Sequence, residues 1–173
     1  MAGSPHSIFD HPRLVPAAIV AVSLGALGAA LLSQYVGGLQ PCVLCIYQRY
    51  AFVGALAAGL IGIAAGGRPG LRRVAVAAAG LAFLAGAAVA FFHVGVEQLW
   101  WRGTAECQGP AFDPNASAAD LRQQLLGTPF AACDQIPWSL FGISIAGYNM
   151  LTSLVFAAAS LFAAARMGKA VKP

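Results

Sequence analysis

The sequence predicts an all-α membrane protein, a four-transmembrane-helix bundle with two outer (periplasmic) loops, the second carrying a short amphipathic helix. Three observations predict it. Of the 173 residues, 59% are hydrophobic and only 9% are charged, against about 45–50% apolar and 25% charged in a soluble domain. Long stretches are free of charge. The ten Lys and Arg punctuate those stretches instead of clustering. Such a composition excludes a disordered chain and an ordinary soluble enzyme. The formal charge of +4 has no basic patch beside polar surface, so no nucleic-acid partner is expected.

The first element is a helix over about 14–35, from the uncharged run Leu14–Tyr35. A span needs about 20 residues rising 1.5 Å each to cross about 30 Å of hydrocarbon. This run exceeds the roughly 7–15 apolar residues of a signal-peptide core, and a polar-leaning segment, 1–13, precedes it. It is therefore read as a retained helix. A loop over about 36–45 follows, with Gly37, Gly38, Pro41, Cys42 and Cys45. The second helix is placed at about 46–66, with Arg49 near its start and no charge from Ala51 to Gly67. Gly62 and Gly66 within it form a GxxxG, read as a helix-packing contact inside the bundle.

The stretch 67–73 reads Gly-Arg-Pro-Gly-Leu-Arg-Arg and is taken as a short connection. The third helix is placed at about 73–95, from the run Val74–Val96, with His93 near its end. A loop over about 96–137 has an acidic excess: Glu97, Glu106, Asp113, Asp120 and Asp134 against Arg102 and Arg122. Ser117–Leu126 within it reads as a short helix with Asn115 or Ser117 as N-cap and Asp120 in its first turn. Leu121, Leu125 and Leu126 give it one apolar face, which either lies on the membrane surface or packs within the loop. The fourth helix is placed at about 138–165, from the uncharged run Ile136–Ala165. The whole chain, 1–173, is read as a single membrane domain.

Four spans put the N-terminus, the second loop and the tail on one side. That side carries Arg13, then Arg68, Arg72 and Arg73, then Arg166, Lys169 and Lys172. The positive-inside rule makes it cytoplasmic. The first and third loops then face outward, into the periplasm of a Gram-negative cell, and the location is a bacterial inner membrane. All four cysteines, Cys42, Cys45, Cys107 and Cys133, fall on the outer loops or their edges, the compartment where disulfides persist.

The local feature richest in chemistry is Pro41-Cys42-Val43-Leu44-Cys45, followed by Ile46-Tyr47-Gln48-Arg49-Tyr50. Two cysteines three apart at a helix start can form a tight disulfide. The helix dipole, free amides and a nearby cation all favour a thiolate there. Arg49 lies one turn past Cys45 and can share its face. A cation inside a membrane helix is costly unless it has a function or reaches the interface. Arg49 is read as a partner for a thiolate or a quinone oxygen. The bland reading of the motif is a structural disulfide capping the helix.

Cys107 and Cys133 lie 26 apart in the third loop, as a structural staple or as a second redox-active pair. A CxxC on the neighbouring loop favours the second, because two disulfides can exchange by thiolate attack. Asp134 would raise a Cys133 thiol's pKa by like charge. His93 is either an interfacial residue or a donor to a quinone carbonyl, and Glu97, one turn on, could orient it. Trp100, Trp101 and Trp138 suit an interfacial belt. Ile46 after the second cysteine excludes a c-type haem site, the second pair lacks zinc-ligand spacing, and no metal is expected. Nucleotide-binding and hydrolase motifs are absent from the sequence.

Gln40-Pro41-Cys42-Val43-Leu44-Cys45-Ile46-Tyr47-Gln48-Arg49 resembles the first-loop signature of the DsbB family, inner-membrane disulfide bond formation proteins. The four helices, both loops, the Cys107–Cys133 spacing and the segment Trp138-Ser-Leu-Phe-Gly142, taken as opening the last helix, fit as well. The resemblance covers nearly the whole chain and implies a thiol:quinone oxidoreductase. It implies that a reduced periplasmic thioredoxin-fold oxidase, DsbA-like, attacks a Cys107–Cys133 disulfide and forms a mixed disulfide with Cys107. Cys133 then exchanges with Cys42. Cys45 becomes the thiolate facing ubiquinone or menaquinone, Arg49 stabilises its charge, and His93 contacts the quinone. The catalytic set is Cys42, Cys45, Cys107, Cys133 and Arg49. The cofactor-binding set is Cys45, Arg49 and His93. The partners are the DsbA-like oxidase and the membrane quinone pool, and the chain is expected to be a monomer. Phe92-His93-Val94-Gly95-Val96-Glu97-Gln98, with Trp100 and Trp101, resembles a sub-branch of the family, which leaves a general or a dedicated oxidase as partner. Two other functions compete: a non-enzymatic membrane scaffold with two structural disulfides, and a membrane metal or haem carrier using the thiols and His93.

Overall fold

In the computed structural model, which describes residues 13–108 and 131–169 together with Ser117, Ala119 and Arg122, four helices carry the chain. They are α1 (Leu14–Tyr35), α2 (Val43–Ala64), α3 (Pro69–Glu97) and α4 (Ile145–Lys169). Each of the four contains a stretch long and apolar enough to cross a membrane, so the protein is an integral multi-pass membrane protein. A 3-10 turn, η1 (Ala105–Gln108), and two short antiparallel strands, β1 (Ser139–Leu140) and β2 (Ile143–Ser144), complete the described elements. The short helix expected at Ser117–Leu126 lies, apart from Ser117, Ala119 and Arg122, outside the described residues, as do Asp113, Asn115, Asp120, Leu121, Leu125, Leu126 and Lys172.

Helix α1 matches its expected bounds, and the other three shift for local reasons. Helix α2 starts at Val43, not near 46, because Cys42 caps it: extended at φ −75° and ψ 170°, its sulfur accepts the Cys45 N–H. The CxxC is thus the helix start itself. Helix α3 begins at Pro69, four residues early, because proline suits a first turn whose amide would be unpaired in any case. It carries Arg72 and Arg73, and Arg72 donates to the Gly66 carbonyl. Helix α4 begins at Ile145, not near 138. Trp138-Ser-Leu-Phe-Gly142 is a hairpin and does not open the helix. Phe141 and Gly142 turn it with φ 50° and 76°, the left-handed pair that a two-residue hairpin loop requires. Ser144 then caps α4 by accepting the Gly147 N–H at 3.1 Å.

Small residues line the inside of the bundle and large ones cover the outside. Ala55, Ala79 and Ala90 are fully buried, whereas Leu24, Leu60, Leu81 and Phe162 are exposed. In lipid, large apolar side chains gain nothing by facing inward, so close backbone approach decides helix packing. A Cβ on Gly59 would meet Val20 at 2.9 Å, one on Gly62 would meet Pro16 at 3.1 Å, and one on Gly80 would meet Leu161 at 2.8 Å. Of the expected GxxxG pair, Gly62 does pack between helices. Gly66 does not: it lies past the end of α2 at φ 56°, and Gly59 takes its place against α1. Phe83 sits at the centre, edge-on to Phe52 at 5.6 Å and tilted against Phe156 at 5.5 Å. Helix α3 packs along both α2 and α4, while α1 lies mainly on α2. This leaves a cleft between α1 and α4 at the end of the bundle that bears the cysteines.

Candidate functional site

Cys42 and Cys45 stand on adjacent positions of the first α2 turn as free thiols, their sulfurs 3.1 Å apart. Cys42 is buried and Cys45 half-buried. The Cys42 sulfur accepts the Cys45 amide at 3.3 Å and lies 3.5 Å from His93 Nε2. The Cys45 thiol, the His93 ring and the Cys45 amide hold the Cys42 thiol well below its ordinary range, at about 4, against burial, which pushes it up.

His93 comes from the last turns of α3 and is buried. Its orientation is set by a row of amides. Ser153 Oγ donates to Asn149 Oδ1 at 3.1 Å. The Asn149 amide donates to Gln48 Oε1. Gln48 Nε2 donates to His93 Nδ1 at 3.0 Å. With Nδ1 accepting, the ring hydrogen sits on Nε2, which faces Cys42 and, at 3.9 Å, Glu97 Oε1. The backbone of Cys133 also bears on this ring. Cys42, Cys45 and His93 place their donor atoms within 4.8 Å of one another.

Arg49 lies one turn beyond Cys45 on α2. Its hydrogen bonds run to α1 and to neither sulfur: Nη1 donates to Gln34 Oε1 at 2.6 Å and Nη2 to the Ala30 carbonyl at 3.3 Å. It fixes α1 across the cleft and keeps a planar cation on the wall. The cleft is a cavity of about 550 Å³. Ala26, Leu27, Ala30, Phe52 and Ile145 line its apolar part, and Cys45, Arg49, His93 and Glu97 line its polar end. That shape suits a flat apolar ring with polar edge atoms and a hydrocarbon tail.

Cys107 and Cys133 form a disulfide, and both are buried. Bonded in this way, Cys133 has no thiol for Asp134 to perturb. The bridge belongs to the same buried cluster as Cys42, Leu44 and Val96. The Gly103 position is crowded, since a Cβ there would meet Cys107 Cβ at 2.8 Å. Tyr47 Oη donates to Glu106 Oε2 at 2.7 Å, tying η1 to α2.

Cys42, Cys45 and His93 therefore come together, Arg49 faces the same cavity, and the Cys107–Cys133 bridge packs beside them. Trp100, Trp101 and Trp138 are all exposed. Trp101 is also packed: its ring stacks on Phe92 at 5.8 Å, its Nε1 donates to the Phe92 carbonyl at 2.9 Å, and it covers Gly95. Reading the sequence missed Gln34, Gln48, Ser144 and Asn149. Their signal was present, since each is a polar residue in or beside an apolar run, but a search for charge passes over amides and hydroxyls.

Residues 12–163 match the family described as Disulfide bond formation protein DsbB. The chain is 36% identical over 155 residues to Disulfide bond formation protein B of Aromatoleum aromaticum, covering 86% of this chain and 89% of that protein. It is 33% identical over 150 residues to the protein of the same name from Hahella chejuensis, with 80% and 85% covered. It is 31% identical over 142 residues to that of Haemophilus influenzae strain 86-028NP, with 79% and 77% covered.

Proposed function

We propose a specific reaction for this chain, which belongs to the DsbB family of disulfide bond formation proteins and is in general terms a disulfide-forming oxidoreductase working with disulfide-forming partners. The reaction is reoxidation of a periplasmic DsbA-like dithiol oxidase at the expense of a membrane quinone, ubiquinone or menaquinone. A thiolate of the reduced oxidase attacks the Cys107 sulfur and releases Cys133. Cys133 attacks Cys42 of a Cys42–Cys45 disulfide and releases Cys45 as the thiolate. While Cys42 is bonded to Cys133, it cannot carry the charge it holds in the free dithiol, and Cys45 carries it instead. The oxidase's second thiolate then resolves its mixed disulfide with Cys107. The Cys107 thiolate attacks Cys133, re-forms the Cys107–Cys133 bridge and releases Cys42 as a thiolate, and the reduced Cys42–Cys45 pair would re-form its bond by giving its two electrons to the quinone.

The observation that carries this reading is the cavity whose polar end holds Cys45, Arg49 and His93 and whose apolar end faces α1 and α4. A quinone bound there supplies a two-electron acceptor. Arg49 holds negative charge near the acceptor's oxygens, and its bonds to Gln34 and Ala30 keep the fork in place. His93 presents Nε2–H to the same region. The apolar walls exclude water, which strengthens each of these interactions. In this reading the protein acts as a monomeric single domain of the bacterial inner membrane, and the distribution of Arg and Lys supports cytoplasmic termini and periplasmic cysteines.

The test mixes purified protein with a reduced DsbA-type oxidase and a water-soluble ubiquinone and follows quinone absorbance. The expected result is loss of quinone absorbance that depends on the oxidase and disappears with Cys45→Ala. No reduction by any reduced thioredoxin-fold partner, with the Cys107–Cys133 bridge left intact, overturns the reading in favour of a scaffold.

A further inference from the structure

The group around Cys42 contains an acid that the reaction above does not use. Glu97 is the last residue of α3 and is buried, only 9% exposed. One carboxyl oxygen, Oε2, accepts the hydroxyl of Ser144. The other, Oε1, faces His93 Nε2 at 3.9 Å. A carboxyl withdrawn from water at the end of a membrane helix is costly to keep charged.

The hydrogen-bond row limits what Glu97 can share. Donation runs one way, from Ser153 through Asn149 and Gln48 to His93 Nδ1. One ring hydrogen remains, on Nε2. Two acceptors that can be anionic face it, Cys42 Sγ at 3.5 Å and Glu97 Oε1 at 3.9 Å. When Cys42 is in a disulfide its sulfur is neutral, and the Nε2–H dipole stands 3.9 Å from the carboxylate, beside the Cys133 backbone. When Cys42 is a thiolate the hydrogen serves the sulfur. The carboxylate would then stand beside a second buried anion with only the Ser144 hydroxyl to satisfy it. Two like charges in one water-poor site do not both persist; one takes a proton. The other titratable groups on this cavity are Cys45, Arg49 and Tyr148. Arg49 points its donors at Gln34 and Ala30 and so does not relieve Glu97.

We propose that Glu97 is the proton store of this site, protonated when the Cys42–Cys45 disulfide is opened to a Cys42 thiolate and deprotonated when that disulfide re-forms. The proposal rests on the reaction assigned above and deepens it. The balance closes. Two incoming thiols deliver one electron pair and two protons, the incoming sulfurs become a disulfide, and the Cys42–Cys45 bond breaks. One proton stays on Cys45, the other goes to Glu97, and Cys42 keeps the negative charge. When the Cys42–Cys45 bond re-forms, the electron pair leaves for the quinone with the proton from Cys45 and the proton from Glu97. A dione becoming a diol needs those two electrons and two protons. Net charge in the site stays constant through the cycle, so no bare charge is created in the hydrocarbon.

The experiment uses the quinone-free, detergent-solubilised full chain carrying Cys107→Ser and Cys133→Ser, so that only the Cys42–Cys45 pair is reduced by dithiothreitol. Infrared difference spectra between oxidised and reduced protein report the carbonyl stretch of a protonated carboxyl. The expected result is a positive carboxyl band on reduction that disappears in Glu97→Gln, shifts in Glu97→Asp and is unchanged in Glu106→Gln. Glu97→Gln keeps an acceptor for Ser144, and its thermal unfolding in the oxidised state checks that it folds. A band missing from the parent, or one that survives in a folded Glu97→Gln, overturns the proposal. A band that behaves as expected in a protein that reduces no quinone would retain the proton store and reject the quinone reaction. Quinone turnover without the band would do the reverse.

Discussion

Gln48 of α2 and His93 of α3 meet at 3.0 Å, amide nitrogen to Nδ1, and this contact decides which ring nitrogen carries hydrogen. A glutamine amide nitrogen only donates, so Nδ1 only accepts. The imidazole therefore presents Nε2–H to Cys42. The Cys42 sulfur is thus governed by a residue two side chains away.

Replacing Gln48 with Leu leaves His93 Nδ1 and the Asn149 amide without their partner. An unmet buried polar group costs about 1–3 kcal/mol, and thermal unfolding should register a loss in that range. Partner-driven quinone reduction should fall about tenfold, equivalent to about 1.4 kcal/mol on the barrier. Asn149→Leu should show part of the same loss. The double variant should lose less than the sum, because both belong to one row. Strict additivity would show that the row does not act as a unit.

Arg49→Ala should raise the KM for quinone about tenfold or more while the oxidase still forms its mixed disulfide at the parent rate. Arg49→Lys should recover little of the loss. One ammonium cannot reach Gln34 and the Ala30 carbonyl with the fixed fork that a guanidinium offers. Steady-state kinetics with both substrates varied separates the two effects.

Gly95→Ala should displace Trp101, since a Cβ there would lie 2.0 Å from the indole ring. Overpacking of that kind costs about 1–3 kcal/mol, and the tryptophan emission should move with it. Gly25→Ala is the matched control, because nothing lies within 4 Å of a Cβ there. It should leave emission and unfolding unchanged or slightly raise stability. Equal effects from the two variants would contradict the packing of Trp101.

The Cys42 thiol is lowered from 9.0 to about 4 by the Cys45 thiol and His93. Reduced protein should therefore keep a thiolate ultraviolet absorbance well into the acid range and lose it near pH 4, and Cys42→Ser should abolish that absorbance. The sign for stability follows from the lowered value. The contribution to the reduced fold is complete above pH 9, declines as pH falls, and is gone below about 4. The oxidised protein should lack this dependence, which thermal unfolding of both forms across the range would check.

The helices were legible because charge-free runs report membrane thickness, and Leu14–Tyr35 needed nothing else. Hydropathy does not report where a helix stops, however. Phe141 and Gly142 look like more apolar run, yet their left-handed backbone and the Ser144 cap postpone α4 to Ile145. The cysteines, Arg49 and His93 were legible because thiols, a cation and an imidazole are rare in such a chain. Gln48 and Asn149 stand out only as polar residues in apolar runs. Their pairing across α2 and α4, at a separation of 101 residues, leaves no local pattern.

Ser144 has one hydroxyl with two duties: it accepts from Gly147 to begin α4 and donates to Glu97 at the end of α3. These ends of the two helices are clasped by one atom, so the chain leaves α3 and returns to α4 at nearly the same place. The described segments on either side, 98–108 and 131–143, share that closed base and are joined again by the Cys107–Cys133 bridge. A pull on the bridge therefore meets a fixed anchorage before it can pry α3 from α4.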